Sequence, residues 1–394
     1  MSSAILLTPS VITKESLMML ENNLVAAKRV NRKFENQFVK IGSTLTIRKP
    51  NRFRVSSGPA LQIQDIAEPS TTITINQQKH VDFQFTSQDL TLTIEEFSER
   101  YLKPAMAELA NQIDYDVLTN FNQVYNEVGT PGTVPANFAA LAAVGQRMDE
   151  EAAPQDGRTL VLNPAAYWSM AAGLSTLYVR SVAEPALKGF LAAIANFEIF
   201  MDQNIQNQVV GAYAGAGAVN GALQTGSSLV TNGWNINITG LLNVGDVITL
   251  AGVNAINPKS RATTGSLRNF VVTAAVNSDG AGNATIPIYP AITTSGAYQT
   301  VTGSPAGGAA IVVKGTASSS YAQNVGFVRD CFGLVMVPME IPGGVDFAAR
   351  ETYKDISIRV IRAYDVNNDV FPCRMDVLYG STTFYPELGC RLTN

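Results

Sequence analysis

Between residues 211 and 321 the chain nearly runs out of charge. The only Asp, Glu, Lys or Arg residues there are Asp246, Lys259, Arg261, Arg268, Asp279 and Lys314, and small or polar residues fill the remainder. A long helix is hard to build from this composition, since Gly costs about 1 kcal/mol in a helix and Ser, Thr and Asn compete for its backbone. Short strands fit better. Strand signals recur at 234–238, 247–250, 270–272, 285–288 and 311–313, separated by turn formers such as Asn243-Val244-Gly245-Asp246 and Asp279-Gly280. This rhythm predicts a small barrel or sandwich, with Trp234, Leu250, Phe270, Ile286, Ile288 and Val312 in its core. The glycine-rich run 211–221 reads as a linker. Residues 222–318 then read as a β domain set into a surface loop, about the size that folds by itself.

The flanks have a different character. Residues 1–38 read as an N-terminal arm whose helical spacing, Leu17, Leu20, Leu24, has little of its own to pack against. Docking on another subunit is the expectation. Alternation at Leu45 and Ile47, Ile73 and Ile75, and Val81, Phe83 and Phe85 predicts half-buried strands within 39–94. Between them a proline-punctuated excursion reaches from Pro50 to Pro69. Thr93 and Glu96 have capping-box spacing, and Leu102, Met106, Leu109, Ile113, Val117, Phe121, Val124 and Val128 recur at helical intervals. A long helix over 95–130 follows, closed by Gly129 and Pro131. Residues 131–221 read as an α/β unit, with helices near Phe138–Met148, after Asn163-Pro164 and from Pro185, and strands at 159–162 and 197–201. The α/β pattern resumes over 319–350, and 351–394 holds an antiparallel pair, 356–362 with 374–380. The fold class is α+β.

Composition narrows the function. Charged residues make up 15% and hydrophobic residues 46% of the 394, against about a quarter charged in a typical soluble protein. So sparse a charge fits either a surface covered by other subunits or one solvated mainly by Ser, Thr, Asn, Gln and Gly. Both point away from a solitary, highly soluble enzyme. The formal net charge of −4 gives no bulk attraction to nucleic acid or anionic lipid. No apolar run reaches the roughly 18 residues of a membrane span, and the N-terminus lacks the basic region of a signal peptide.

Catalytic and metal chemistry have little to stand on. His80 is the single histidine, beside an alternating strand, and reads as a surface residue. Cys331, Cys373 and Cys390 are too scattered for a zinc set or a disulfide framework. Gly215-Ala216-Gly217-Ala218-Val219-Asn220 puts Asn where a dinucleotide fingerprint needs its last Gly. Asp149-Glu150-Glu151 reads as a solvated acidic face. No cofactor and no metal are expected. The excursion offers a better candidate. Arg48, Lys49, Arg52 and Arg54, followed by Asp65 and Glu68, read as contacts between subunits, with nucleic acid as the lesser alternative.

The order of elements, N-arm, extended loop, long helix, α/β part, β insertion and return, resembles the Hong Kong 97-type capsid fold of tailed phages, nearest to the P22-type coat proteins with an inserted β domain. The resemblance is carried by Asp82-Phe83-Gln84-Phe85-Thr86-Ser87-Gln88-Asp89-Leu90, by Leu162-Asn163-Pro164-Ala165-Ala166-Tyr167, by the run from Val244-Gly245-Asp246 to Val253, and by Met375-Asp376-Val377-Leu378-Tyr379-Gly380. It implies a non-enzymatic shell subunit in the virion, made in the bacterial cytoplasm and assembled as pentamers and hexamers. A separate scaffolding protein, a portal and weak contact with packaged double-stranded DNA are implied partners. Two other readings stay open: a nanocompartment shell protein, and a β-rich surface adhesin.

Overall fold

The computed structural model describes residues 9–33, 44–55, 58–59, 61, 63–64, 68–86, 101–174, 195–345, 347–353 and 356–394. In chain order these form helix α1 (Pro9–Asn23), strands β1 (Thr44–Arg48), β2 (Ser70–Thr74) and β3 (Gln77–Thr86), and helix α2 (Lys103–Leu118). Next come β4 (Glu127–Val128), α3 (Phe138–Glu150), β5 (Arg158–Leu162), α4 (Pro164–Leu174), β6 (Phe197–Met201) and β7 (Asn207–Val209). Strands β8 (Gly215–Val219), β9 (Gly226–Trp234), β10 (Val247–Ile256), β11 (Thr263–Val272), β12 (Ala284–Ile292) and β13 (Ile311–Val313) follow. The chain ends with β14 (Ser320–Val328), β15 (Phe332–Met336), β16 (Phe347–Tyr353), β17 (Ile356–Arg362), β18 (Val370–Thr383) and β19 (Gly389–Thr393). Two compact units result, one from residues 1–47, 70–117 and 332–382, the other from 48–69, 118–331 and 383–394.

In the first unit β15, β18, β17 and β16 lie side by side and β3 also pairs with β18. The β3–β18 register sets Val81 opposite Met375 and Phe83 opposite Cys373. Helix α1 lies on β16 and β17, and Leu17, Leu20 and Leu24 are buried. The N-terminal helix therefore packs on its own chain, against the expectation from its isolated sequence position. The buried Asp114 carboxylate of α2 accepts the backbone N–H of Val25 at 2.6 Å and of Ala27 at 2.7 Å. On β18, Asp376 is fully buried between Arg359 (2.7 Å) and Arg374 (2.6 Å). Burial alone would raise this carboxyl; the hydrogen bonds from both arginines outweigh it and hold it below the ordinary value.

The long helix is shorter than its apolar spacing predicts. Thr93 and Glu96 lie outside the described residues. Leu102, Met106, Leu109, Ile113 and Val117 are buried as read, but α2 stops at Leu118 and gives way to a 3-10 turn, Thr119–Gln123. Val124 is extended, because the backbone beyond it joins a sheet: β4 pairs in parallel with β19. Pairing overrides local helical spacing here.

The second unit holds two sheets. One runs β4-β19-β14-β5-β6 with β7 beside β14. Its core is Leu141, Val144 and Met148 of α3, Tyr167 and Met170 of α4, and Leu160, Phe197 and Leu392 from the sheet. Phe138 is 41% exposed, so the predicted face of α3 begins one turn later. The helix read from Pro185 lies outside the described residues.

The other sheet runs β13-β10-β11-β12-β9-β8. Its two edges meet through a bridge between Ala218 and Ala310, where Val219 N–H donates to Ala309 O at 3.0 Å and Gly308 N–H donates to Val219 O at 2.8 Å. The sheet closes on itself, which removes its free edges. Leu229, Ile248, Leu250, Phe270, Ile286 and Val301 fill the interior. Strand β12 alternates buried and exposed along most of its length, the period-two pattern of a sheet with one inner face.

Three sequence readings change here. The run 211–221 is more than a linker, since Gly215–Val219 is β8. Small residues are required there by packing: a Cβ on Gly217 would lie 2.2 Å from the Trp234 ring. The strand read at 234–238 precedes that point, ending at Trp234. Val312 faces outward at 57% exposure while Ile311 and Val313 face in, a one-residue slip that exchanges the two faces.

Candidate subunit interface

The excursion begins where β1 ends. Its neck is closed by Lys49 N–H donating to Pro69 O at 2.7 Å, and β1 pairs with β2 on either side. Prolines at 50, 59 and 69 remove backbone donors, so the segment cannot continue the ladder. A glutamine side chain substitutes for strand pairing. Gln64 Oε1 accepts from Arg54 N–H at 2.8 Å, and its Nε2 donates to Arg54 O at 2.5 Å.

The charged residues read as contacts between subunits have partners inside the chain. Arg48 Nη1 lies 3.2 Å from Glu68 Oε2, both well exposed; such a pair contributes only about 0.2–1 kcal/mol. Arg52 Nη2 meets Glu387 Oε1 at 2.7 Å. Lys49 stacks 5.0 Å over the Tyr385 ring. Arg54 is held through its backbone, leaving its side chain exposed. Asp65 lies outside the described residues.

Sequence reading missed the apolar part. Phe53, Val55, Leu61 and Ile63 are 67%, 92%, 88% and 86% exposed. A single exposed leucine needs no explanation, but four large apolar side chains on one excursion mark a surface meant to be covered. The signal was there: Leu61 and Ile63 alternate with Gln62 and Gln64, like one face of an extended segment.

Acids and nucleophiles elsewhere fall into structural roles. Asp149-Glu150-Glu151 is solvated only at Asp149, and each carboxylate takes its own arginine. Asp149 meets Arg158 at 2.5 Å, Glu150 meets Arg147 at 2.8 Å, and the buried Glu151 meets Arg268 at 2.5 Å. His80 is exposed on β3 with Nδ1 2.8 Å from Asp82 Oδ2. All three cysteines are buried and free. Burial pushes the Cys373 thiol up to about 11 and Cys390 to about 12, and raises Cys331 well above its ordinary value, so none offers a thiolate at neutral pH. Among the described residues no group of His, Cys, Asp and Glu could hold a metal, and no helix is long and apolar enough to cross a membrane.

The sequence model of the family described as "P22 coat protein - gene protein 5" matches residues 4–394. The chain belongs to that family: it is the major capsid protein of a tailed phage, a structural component of the virion that assembles into the oligomeric head shell. Among solved structures, one from Mycobacterium phage Che8 covers 93% of this chain and 90% of its own at 12% identity, with a TM-score of 0.50. The mature capsid of bacteriophage PhiM1 covers 89% and 81% at 9% identity and a TM-score of 0.44. The CUS-3 coat protein I-domain covers 25% of this chain and 96% of its own at 25% identity and a TM-score of 0.20. Among curated proteins none matches this chain.

Proposed function

We propose that the chain builds a Hong Kong 97-type shell in which the 48–69 excursion lies on a neighbouring subunit. The carrying observation is the apolar tip, Phe53, Val55, Leu61 and Ile63, exposed on a segment strapped into shape by Gln64. Burying one such side chain is worth about 1.5–3 kcal/mol, against a fraction of that for an exposed ion pair. The tip supplies the affinity; the charged residues Arg48, Arg54, Asp65 and Glu68 supply register. Symmetry repeats the contact at every subunit of a pentamer or hexamer.

Residues 222–318, together with β8 (Gly215–Val219), which closes the sheet, serve as an inserted β domain with its own core, a reading that fits their composition. The shell encloses double-stranded DNA through weak, sequence-independent contacts, is guided by a scaffolding protein and joined to a portal, and performs no catalysis. Replacing Leu61 and Ile63 together by Ser tests the central contact. Subunits that keep their circular dichroism and thermal midpoint but sediment as unassembled protein support the reading. Normal shell yield from this variant rejects it.

A further inference from the structure

The turn between β8 and β9 brings a reactive pair and a hydrogen-bond donor together. Asn220 and Gly221 form one of two Asn-Gly pairs in the chain; the other, Asn232-Gly233, lies within β9. In such a pair the asparagine Cγ and the following backbone nitrogen can close a small ring, and glycine has no Cβ to shield that nitrogen. Both residues of the first pair are exposed. The space beside the Gly221 Cα is open, and a φ of 92° keeps other residue types out of the position. Among the described residues the Gly221 N–H donates to no acceptor.

Gln224 completes the arrangement. Its Nε2 donates to Asn220 O at 2.7 Å and to Val230 O at 2.9 Å, with Gly221 O at 3.2 Å, while its Oε1 accepts from Val230 N–H at 2.7 Å. Asn220 O belongs to the same peptide unit as the Gly221 nitrogen. When that nitrogen loses its proton, charge spreads onto Asn220 O, where the Gln224 amide already points. A donor fixed where charge develops lowers a barrier without reorganisation. The second pair is placed differently. Asn232 is half-buried and pairs with Ala218 in the ladder between β9 and β8, and a Cβ on Gly233 would lie 2.5 Å from Ala216 O. Ring closure there has to pull β9 out of its sheet.

We propose that Asn220-Gly221 is a self-modifying site, at which the chain converts its own asparagine to aspartate and isoaspartate with Gln224 assisting. Water or hydroxide takes the Gly221 amide proton, and the nitrogen lone pair attacks Asn220 Cγ. A C–N bond forms, then the Cγ–Nδ2 bond breaks and Nδ2 leaves with a proton as ammonia, giving a cyclic imide. Water adds to either imide carbonyl and opens the ring. Asparagine and water thus become a carboxylic acid and ammonia, and nothing is oxidised or reduced. Each event adds one negative charge to a region that holds two acids and four bases between residues 211 and 321. Isoaspartate also inserts a methylene into the backbone of the turn that Gln224 straps. The site records the age of the chain, whether or not subunits assemble.

Incubation of the purified full-length chain at neutral pH tests it. Tandem mass spectrometry localises the mass gain of an amide-to-acid exchange to residue 220 or 232, and isoaspartyl methyltransferase reports isoaspartate. Rates in urea, where the fold no longer distinguishes the pairs, serve as the reference. Relative to that reference, Asn220 in the native chain should convert about tenfold or more faster than Asn232. Gln224→Glu keeps the acceptor for Val230 N–H but loses the donor, and should slow Asn220 about tenfold, the size of one hydrogen bond to a developing charge. Asn220→Gln should abolish the gain at this position. Circular dichroism checks that Gln224→Glu folds; if it does not, the native ratio of the two pairs decides alone. No gain at residue 220, equal native rates at the two pairs, or an unchanged or faster rate in folded Gln224→Glu overturns the proposal.

Discussion

The interior of the β8–β13 barrel and the seam at its base are built from opposite materials. Inside, Leu229, Ile248, Leu250, Phe270, Ile286 and Val301 are sealed from solvent, and the polar groups among them are paired: Trp234 Nε1 donates to Thr231 Oγ1 at 2.8 Å, and Thr231 Oγ1 to Ala284 O at 2.7 Å. At the base, where the barrel meets the other sheet of its unit, the contacts are charged. Arg268 pairs with Glu151 (2.5 Å), Arg147 Nη1 donates to Ser266 Oγ (2.7 Å), Lys314 Nζ to Glu127 O (2.7 Å) and Arg391 Nη1 to Gly245 O (2.8 Å). Among the described residues, Arg147 Nε, Arg268 Nε and Arg391 Nη2 have no hydrogen-bond partner. Apolar burial is non-directional and gives stability. A buried ion pair scarcely adds stability, because desolvation offsets attraction, but its geometry admits few orientations. The core makes the barrel; the seam aims it.

The largest expected effect comes from the core. Phe270→Ala should cost about 4 kcal/mol, a transfer loss plus a cavity, read by urea denaturation; a loss under 1 kcal/mol would mean the interior is not close-packed. Next is the seam. Glu151→Gln leaves the Arg268 guanidinium buried without its counter-charge and should cost about 3 kcal/mol, while Glu151→Met with Arg268→Met should return to within about 1 kcal/mol of wild type. If the double variant is no better than the single one, the seam is a true source of stability and the contrast with the core fails.

The first unit offers an acid-sensitive counterpart to the seam. Asp376 is held below its ordinary value, so its contribution is complete above about pH 4, the unfolded range, and disappears as pH falls through the folded value. Asp376→Asn should cost about 2 kcal/mol at neutral pH and flatten the pH dependence of thermal unfolding below about pH 4. An unchanged acid limb would assign that limb to other carboxylates. The smallest effect is on the barrel's outer face, where Val312→Thr should stay within about 0.5 kcal/mol; a loss like that of Phe270→Ala would restore Val312 to the core.

Much of this architecture was legible because it follows from periodicity. The core assignments Trp234, Leu250, Phe270, Ile286 and Ile288 rest on strand alternation, which tertiary packing preserves. Val312 failed because a three-residue strand fixes its face by register, which sequence does not print. The helix end at Leu118 was hidden because strand pairing with β19, more than 260 residues away in sequence, decides the backbone at Val124. Strand β8 was hidden by its own glycines, whose requirement emerges only once the Trp234 ring is in place. At the interface the cations drew attention as charges, yet Arg52 had already found Glu387; the apolar tip was plain in sequence but carries no motif. The Glu151–Arg268 pair joins residues that no spacing rule connects.

Negative-stain electron microscopy of the purified full-length chain, paired with analytical ultracentrifugation, tests the molecule's role most directly. Closed shells of uniform diameter should form from wild-type protein, and Leu61→Ser with Ile63→Ser should leave folded, unassembled subunits under the same conditions. A folded wild-type chain that stays monomeric at every concentration, with or without co-expressed scaffolding protein, would contradict the account.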